Sequence, residues 1–247
     1  RSLVGSEMCI RDRDVRLSLD LRIQRAADEM LGNHKGSAVV INAKSGEILA
    51  VASHPHFNAN EIDEKIKDWQ SDNASPLLNR AVQGAYPMGN LITPFILANA
   101  DQNAVLANDT YMELLTQFEL DACAINPSES YDLRSAAVSG CASALIQIIG
   151  KLDADSFPKI VDQFSLTGSQ DIGLPLNLPV SLPADRNWFD FIFGSDHIRV
   201  NPLQVAAAAS TFSADGVMPS ARILTAVNIA DEGWVTLGST ENRQVLT

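Results

Sequence analysis

Hydrophobic positions follow a helical period at the start of the chain. Ile23, Ala26, Ala27, Met30 and Leu31 fall on one helical face, Asp20 stands where an N-cap is needed, and Gly32-Asn33 supplies a stop. This spacing predicts a helix over Leu21 to Leu31. The pattern then changes: Ser37 to Asn42 and Glu47 to Ser53 are β-rich runs around Ala43-Lys44-Ser45-Gly46, where the glycine can take the positive φ of a hairpin turn. Asn58 to Ser75 is acidic and polar and reads as a surface loop with a short helix. Pro76 to Ala81 leads to a turn at Tyr86-Pro87-Met88-Gly89, with a new helix starting near Asn90. From Leu91 to about Gly168 helical spacing dominates, notably at Ala137, Ala144, Leu145, Ile148, Ile149 and Leu152. Pro-Leu repeats from Leu174 to Pro183 mark an irregular crossing, and Asn201-Pro202 opens a capped helix that runs to about Ser213. Ile223 to Ile229 and Trp234 to Leu237, joined through Asp231-Glu232-Gly233, read as a second hairpin.

Two hairpins separated by a long helical block must bury their faces against something. The expected class is α+β: an antiparallel sheet flanked by helices, with a helical subdomain at about 91–168. Residues 1–13 follow neither period and are expected to be an artefactual or disordered leader, with a partial domain over 14–247. Val235 to Thr247 stops without a helix cap or a closing strand, and a C-terminally truncated domain is expected.

Composition narrows the chemistry. With 46% hydrophobic and 19% charged residues in 247, the chain has the makings of a real core and is unlike disordered, collagenous or coiled-coil sequences. A net charge of -12 repels phosphate backbones and anionic headgroups, so no nucleic-acid partner is expected. No apolar run reaches the roughly 20 residues of a membrane span. Cys9, Cys123 and Cys141 are too few and too scattered for a disulfide framework, and no Cys-x-x-Cys pair points to a metal.

Neither a metal nor an organic cofactor is implied. His54-Pro55-His56 lacks a third ligand and reads as a surface loop. The carboxylates Glu61, Asp63, Glu64, Asp68 and Asp72 lack the ligand alternation and turn glycine of a calcium loop and are expected on the surface. Asp196, His197 and Arg199 read as solvated loop, and Trp69, Trp188 and Trp234 as core or loop anchors.

Several strings resemble the transpeptidase domain of penicillin-binding proteins, the serine acyl-transferases that cross-link peptidoglycan. These are Leu19 to Ala27, Ala43 to Ala50, Leu78 to Gly89 with its Leu-Asn-Arg-Ala start, and Val200-Asn201-Pro202-Leu203-Gln204-Val205-Ala206. The resemblance implies a Ser-x-x-Lys directly after Tyr-Pro-x-Gly. There the serine opens a helix, and the lysine one turn on shares its face and handles its proton. This chain has Asn90-Leu91-Ile92-Thr93 instead. An amide is no acyl acceptor and a threonine hydroxyl is no amine, so both members of the pair are missing. The family's Ser-x-Asn position reads Gly140-Cys141-Ala142. A thiol at a helix start can ionise more readily, but with no histidine partner identifiable Cys141 is expected to be a buried structural thiol.

Three strings imitate the motifs out of order: Lys44-Ser45-Gly46, Ser71-Asp72-Asn73 and Ser156-Phe157-Pro158-Lys159. The resemblance therefore implies a transpeptidase-type domain of cell-wall synthesis that has lost acyl transfer and keeps a structural or interaction role. The alternative is an active D-Ala-D-Ala-directed serine or cysteine acyl transferase with relocated residues, Ser139, Ser143, Ser156 and Cys141 being the candidates. The implied partners are the peptidoglycan stem peptide or cell-wall synthesis proteins. The implied location is the extracytoplasmic face of the bacterial membrane, reached through an anchor that this stretch of sequence does not contain.

Overall fold

The computed structural model describes residues 14–102, 132–139, 141–153, 155–166, 172, 199–238 and 242–246. Its elements in chain order begin with β1 (Val15–Leu17), α1 (Leu21–Leu31), β2 (Gly36–Ile41), β3 (Ile48–His54), α2 (Ile62–Ser71) and β4 (Tyr86–Pro87). Then come α3 (Thr93–Gln102), α4 (Leu133–Val138), α5 (Ala142–Gly150), α6 (Ser156–Gln163) and β5 (Arg199–Val200). The last are α7 (Pro202–Ser210), β6 (Val217–Met218), β7 (Leu224–Ile229), β8 (Gly233–Thr236) and β9 (Arg243–Gln244). The class is α+β. The chain forms two compact units, one of Arg1–Gly84, Gln170–Asn177 and Asn201–Gln244, the other of Ala85–Ser169, Leu178–Val200 and Val245–Thr247.

The first unit is built on the β2–β3 hairpin. Its turn is shaped by Asn42, whose Oδ1 accepts from Lys44 N–H at 3.0 Å and Ser45 N–H at 3.1 Å, and by Gly46 at φ 72°. A Cβ on Gly46 would lie 2.1 Å from the Ser220 carbonyl oxygen, so both the conformation and the space demand glycine. Alternation along β3 sends Ala50 and Ala52 against Ala27 of α1, and these small residues let the helix lie close to the sheet. Val39, Ile41 and Val51 pack on the other side around Ile48, Ala81, Val82 and Leu203 of α7. The hairpin is therefore covered on both faces.

Three details were not legible in the hydrophobic pattern. β1 is an exposed three-residue strand that pairs antiparallel with β7, Val15 opposite Val227, while β8 pairs with β7 on its other side. Trp234, expected to anchor core or loop, lies on β8 at 47% exposure, with the Arg16 guanidinium 4.8 Å above its ring. A cation over the π face holds this indole without burying it. His54 is also corrected: it is no surface-loop residue but the buried end of β3. Its Nδ1 lies 2.9 Å from the Gly32 carbonyl at the end of α1 and its Nε2 lies 3.3 Å from Asp28 Oδ1. The acidic segment does lie on the surface, with no residue of α2 buried.

In the second unit α3 packs against α4, α5 and α6. Ile92, Phe95, Ile96, Leu133, Ile148, Ile160 and Phe164 are all fully buried, and Phe95 meets Phe164 edge-to-face with centroids 4.8 Å apart. An Arg134–Asp101 ion pair ties α4 to α3.

Candidate active site

The entry to α3 is prepared from both sides in sequence. β4 pairs with β5, Tyr86 opposite Val200, and Arg199 Nη1 donates to the Ala85 carbonyl at 3.1 Å. Gly89 at φ 53° turns the chain into one 3-10 turn, Gly89–Ile92, which runs directly into α3. Thr93 N–H donates to the Asn90 carbonyl. Residues three apart eclipse in a 3-10 turn, so Asn90 and Thr93 share one face, and the buried Ile92 lies on another. Asn90 is exposed and Thr93 half-buried. The expected helix start is thus a 3-10 turn at Asn90, with α-helix only from Thr93.

Cys141-Ala142, at the position where the resemblance implies Ser-x-Asn, opens α5, which packs on α3. Gly140 lies outside the described residues. Cys141 is the N-cap of α5, 1% exposed; its carbonyl accepts from Ala144 N–H at 3.1 Å and its N–H donates to the Ala136 carbonyl at 3.0 Å. Ala142 is the first residue of the helix. Cys141 is disulfide-bonded, which corrects the expectation of a structural thiol: its sulfur carries no ionisable proton, so the helix N-terminus has no thiol to activate. The spacing of three cysteines held no signal for this bond, because pairing depends on spatial approach.

The relocated strings are scattered. Ser156 starts α6 and is buried, whereas Lys159 is exposed. Ser139 is the C-cap of α4, and Ser143 is half-buried within α5. Lys44-Ser45-Gly46 forms the first hairpin turn, where Ser45 Oγ donates to Glu47 Oε2 at 3.1 Å. Ser71, at the end of α2, donates to the Lys67 and Asp68 carbonyls at 3.2 and 3.1 Å. Trp188, Asp196 and His197 lie outside the described residues. Among the described residues no three histidine, cysteine, aspartate or glutamate side chains converge as metal ligands.

Composition and periodicity missed the fastening of the segment that leads to this entry. Arg80 is buried, and its guanidinium donates to the carbonyls of Ala74, Ser75 and Leu78 while its N–H donates to Ser53 Oγ. Ala81 accepts from Leu203 N–H at 3.1 Å and Val82 from Asn201 Nδ2 at 3.2 Å, which binds the segment to the start of α7. The only signal was that Leu78 to Val82 and Asn201 to Gln204 both belong to the resembling strings.

A family model described as "Penicillin binding protein transpeptidase domain" matches residues 36–245. The chain is 46% identical over 96 residues to the peptidoglycan D,D-transpeptidase MrdA of Acinetobacter baumannii, a match covering 37% of this chain and 14% of that protein. It is 27% identical over 222 residues to the probable peptidoglycan D,D-transpeptidase PbpC of Pseudomonas aeruginosa, covering 82% and 37%. Its fold matches the crystal structure of PBPA from Mycobacterium tuberculosis with a TM-score of 0.82 at 21% identity, over 100% of this chain and 64% of that one. It thus spans less than two thirds of each of these relatives. With four-fifths or more of the chain accounted for by one family, it belongs to the penicillin-binding protein transpeptidase domain family.

Proposed function

We propose that this chain is a transpeptidase-family domain of peptidoglycan synthesis that lacks acyl-transfer chemistry and serves a structural or interaction role in cell-wall synthesis. One observation carries the reading: the glycine-led turn runs directly into α3, and where the resemblance implies a serine and a lysine at that entry this chain has Asn90 and Thr93. An acyl-enzyme needs an oxygen or sulfur nucleophile beside a base. An amide nitrogen has its lone pair delocalised into the carbonyl, and a threonine hydroxyl accepts no proton at neutral pH. The disulfide at Cys141 counts against the sulfur alternative, and the burial of Ser156 away from an exposed Lys159 counts against a relocated serine pair.

The proposed partners are the peptidoglycan stem peptide or proteins of cell-wall synthesis. The proposed location is the extracytoplasmic face, which the Cys141 disulfide supports because such bonds persist in oxidising compartments. Among the described residues no helix is long and apolar enough to cross a membrane.

Penicillin G is a suitable probe, because a solved structure of the same fold is a penicillin G acyl-enzyme complex of the M. tuberculosis protein. Intact-mass spectrometry after prolonged exposure should return the unmodified mass. An increment equal to the drug overturns the proposal, and mapping it to Ser139, Ser143, Ser156 or Cys141 would establish the relocated acyl transferase instead.

A further inference from the structure

The outer edge of β3 is closed by groups other than a strand. Ile48 N–H donates to the Arg222 carbonyl and the Leu49 carbonyl accepts from Asp20 N–H, both at 2.9 Å. The Gln24 side-chain amide then takes both main-chain groups of Val51, accepting from its N–H at 2.8 Å and donating to its carbonyl at 3.0 Å. One glutamine thus occupies the place of one peptide unit of a neighbouring strand. Alternate residues turn their main-chain groups to the same edge, so Ser53 presents its N–H and C=O there as well. No described residue bonds them.

Ser53 opens onto a groove of about 470 Å³, lined also by Asp28, His56, Phe57, Leu77 and Leu78. Its walls are held firmly. Ser53 Oγ donates to the Leu78 carbonyl at 3.1 Å and accepts from Arg80 N–H at 2.9 Å, and Phe57 leans on Trp69 with centroids 5.2 Å apart. Asp28 stands on the α1 wall with its side chain 41% exposed, oriented by Gln24 Nε2 at 3.2 Å and His54 Nε2 at 3.3 Å.

We propose that this groove binds an extended peptide segment carrying basic side chains, which adds to β3 at Ser53 and sets a cation against Asp28. A free N–H and C=O on one residue match the C=O and N–H of one residue of an extended chain, the basis of strand addition. The residue opposite Ser53 turns its side chain to the Ser53 face, towards Leu78. Its two neighbours turn theirs to the α1 face, where Asp28 stands. Gln24 blocks the next position along the edge and so limits the register. The Asp28 carboxylate, on a chain of net charge -12, selects basic over acidic segments. The site uses neither Asn90 nor Thr93, so its test is independent of the penicillin experiment.

The probe is a dye-labelled, end-blocked peptide Ala-Lys-Leu-Lys-Ala, titrated with the full chain and read by fluorescence anisotropy. Saturable binding is expected with a Kd below about 1 mM. Methylating the central leucine nitrogen removes the donor to Ser53 and should weaken binding at least about tenfold. Replacing both lysines with glutamate should abolish binding. Asp28→Asn should weaken the lysine peptide about fivefold or more and make the remaining binding less salt-sensitive. The proposal is overturned if the lysine peptide does not bind, if the methylated peptide binds equally well, or if the glutamate peptide binds equally well. The two peptide controls need no protein variant, so a misfolded Asp28→Asn chain would not shield it.

Discussion

Replacing Asn201 tests how the start of α7 holds the segment before the candidate site. Asn201 is 4% exposed and makes two side-chain bonds in different directions: Oδ1 accepts from Gln204 N–H at 2.8 Å, and Nδ2 donates to the Val82 carbonyl at 3.2 Å. Gln204 Oε1 returns the bond by accepting from Asn201 N–H at 2.8 Å, completing a capping box. In Asn201→Ala the returning bond can persist. Loss of the cap costs about 1 kcal/mol, and the orphaned buried Val82 carbonyl adds about 1–2 kcal/mol, for a total of about 2–3 kcal/mol. Asn201→Ser keeps an uncharged cap oxygen of equal capping preference and loses only the donor to Val82, about 1–2 kcal/mol. Urea denaturation followed by circular dichroism measures both. With a slope of about 2–3 kcal/mol per molar, the alanine variant should unfold about 1 M earlier than the parent. A midpoint shift below about 0.2 M, which corresponds to roughly 0.5 kcal/mol at that slope, or a serine variant as weak as alanine, would refute the two-bond reasoning.

The Asp20 carboxyl is held at about 2 against an ordinary 3.8, chiefly by the Arg22 side chain and then by Arg22 N–H. A depressed folded value means its contribution is complete above about pH 4 and fades as the pH falls towards about 2. The gap in thermal midpoint between parent and Asp20→Ala should therefore narrow over that window, and a gap unchanged down to pH 2 would contradict it. For Cys141, thiol titration of the unreduced, denatured chain should find one reactive cysteine among the three in the sequence, and reduction should lower stability by about 2–4 kcal/mol. Three reactive thiols before reduction would dismiss the disulfide.

The candidate site was readable only in part. Tyr86 to Gly89 announced the helix entry and pointed to Asn90 and Thr93 as the residues proposed for the reactive positions, because that information lies within one turn of chain. The 3-10 form of that turn was not readable, since 3-10 and α starts share the same local pattern. The state of Cys141 was not readable either, because a disulfide depends on where a distant sulfur arrives.

The same division runs through the fold. The sequence by itself determined the elements whose causes are local: α1 behind its Asp20 cap, the hairpin around Gly46, and α7 behind Asn201 and Pro202. Each rests on side chains bonding main-chain groups two to four residues away, or on an alternation that burial imposes. Only the tertiary structure decided that Val15–Leu17 pairs with β7, that Gln24 closes the edge at Val51, that His54 is buried against the end of α1, and that Trp234 is held by Arg16. These contacts join segments from about twenty to more than two hundred residues apart. No local period encodes them, because an edge or an unpaired main-chain group acquires its partner only when the rest of the chain has folded around it.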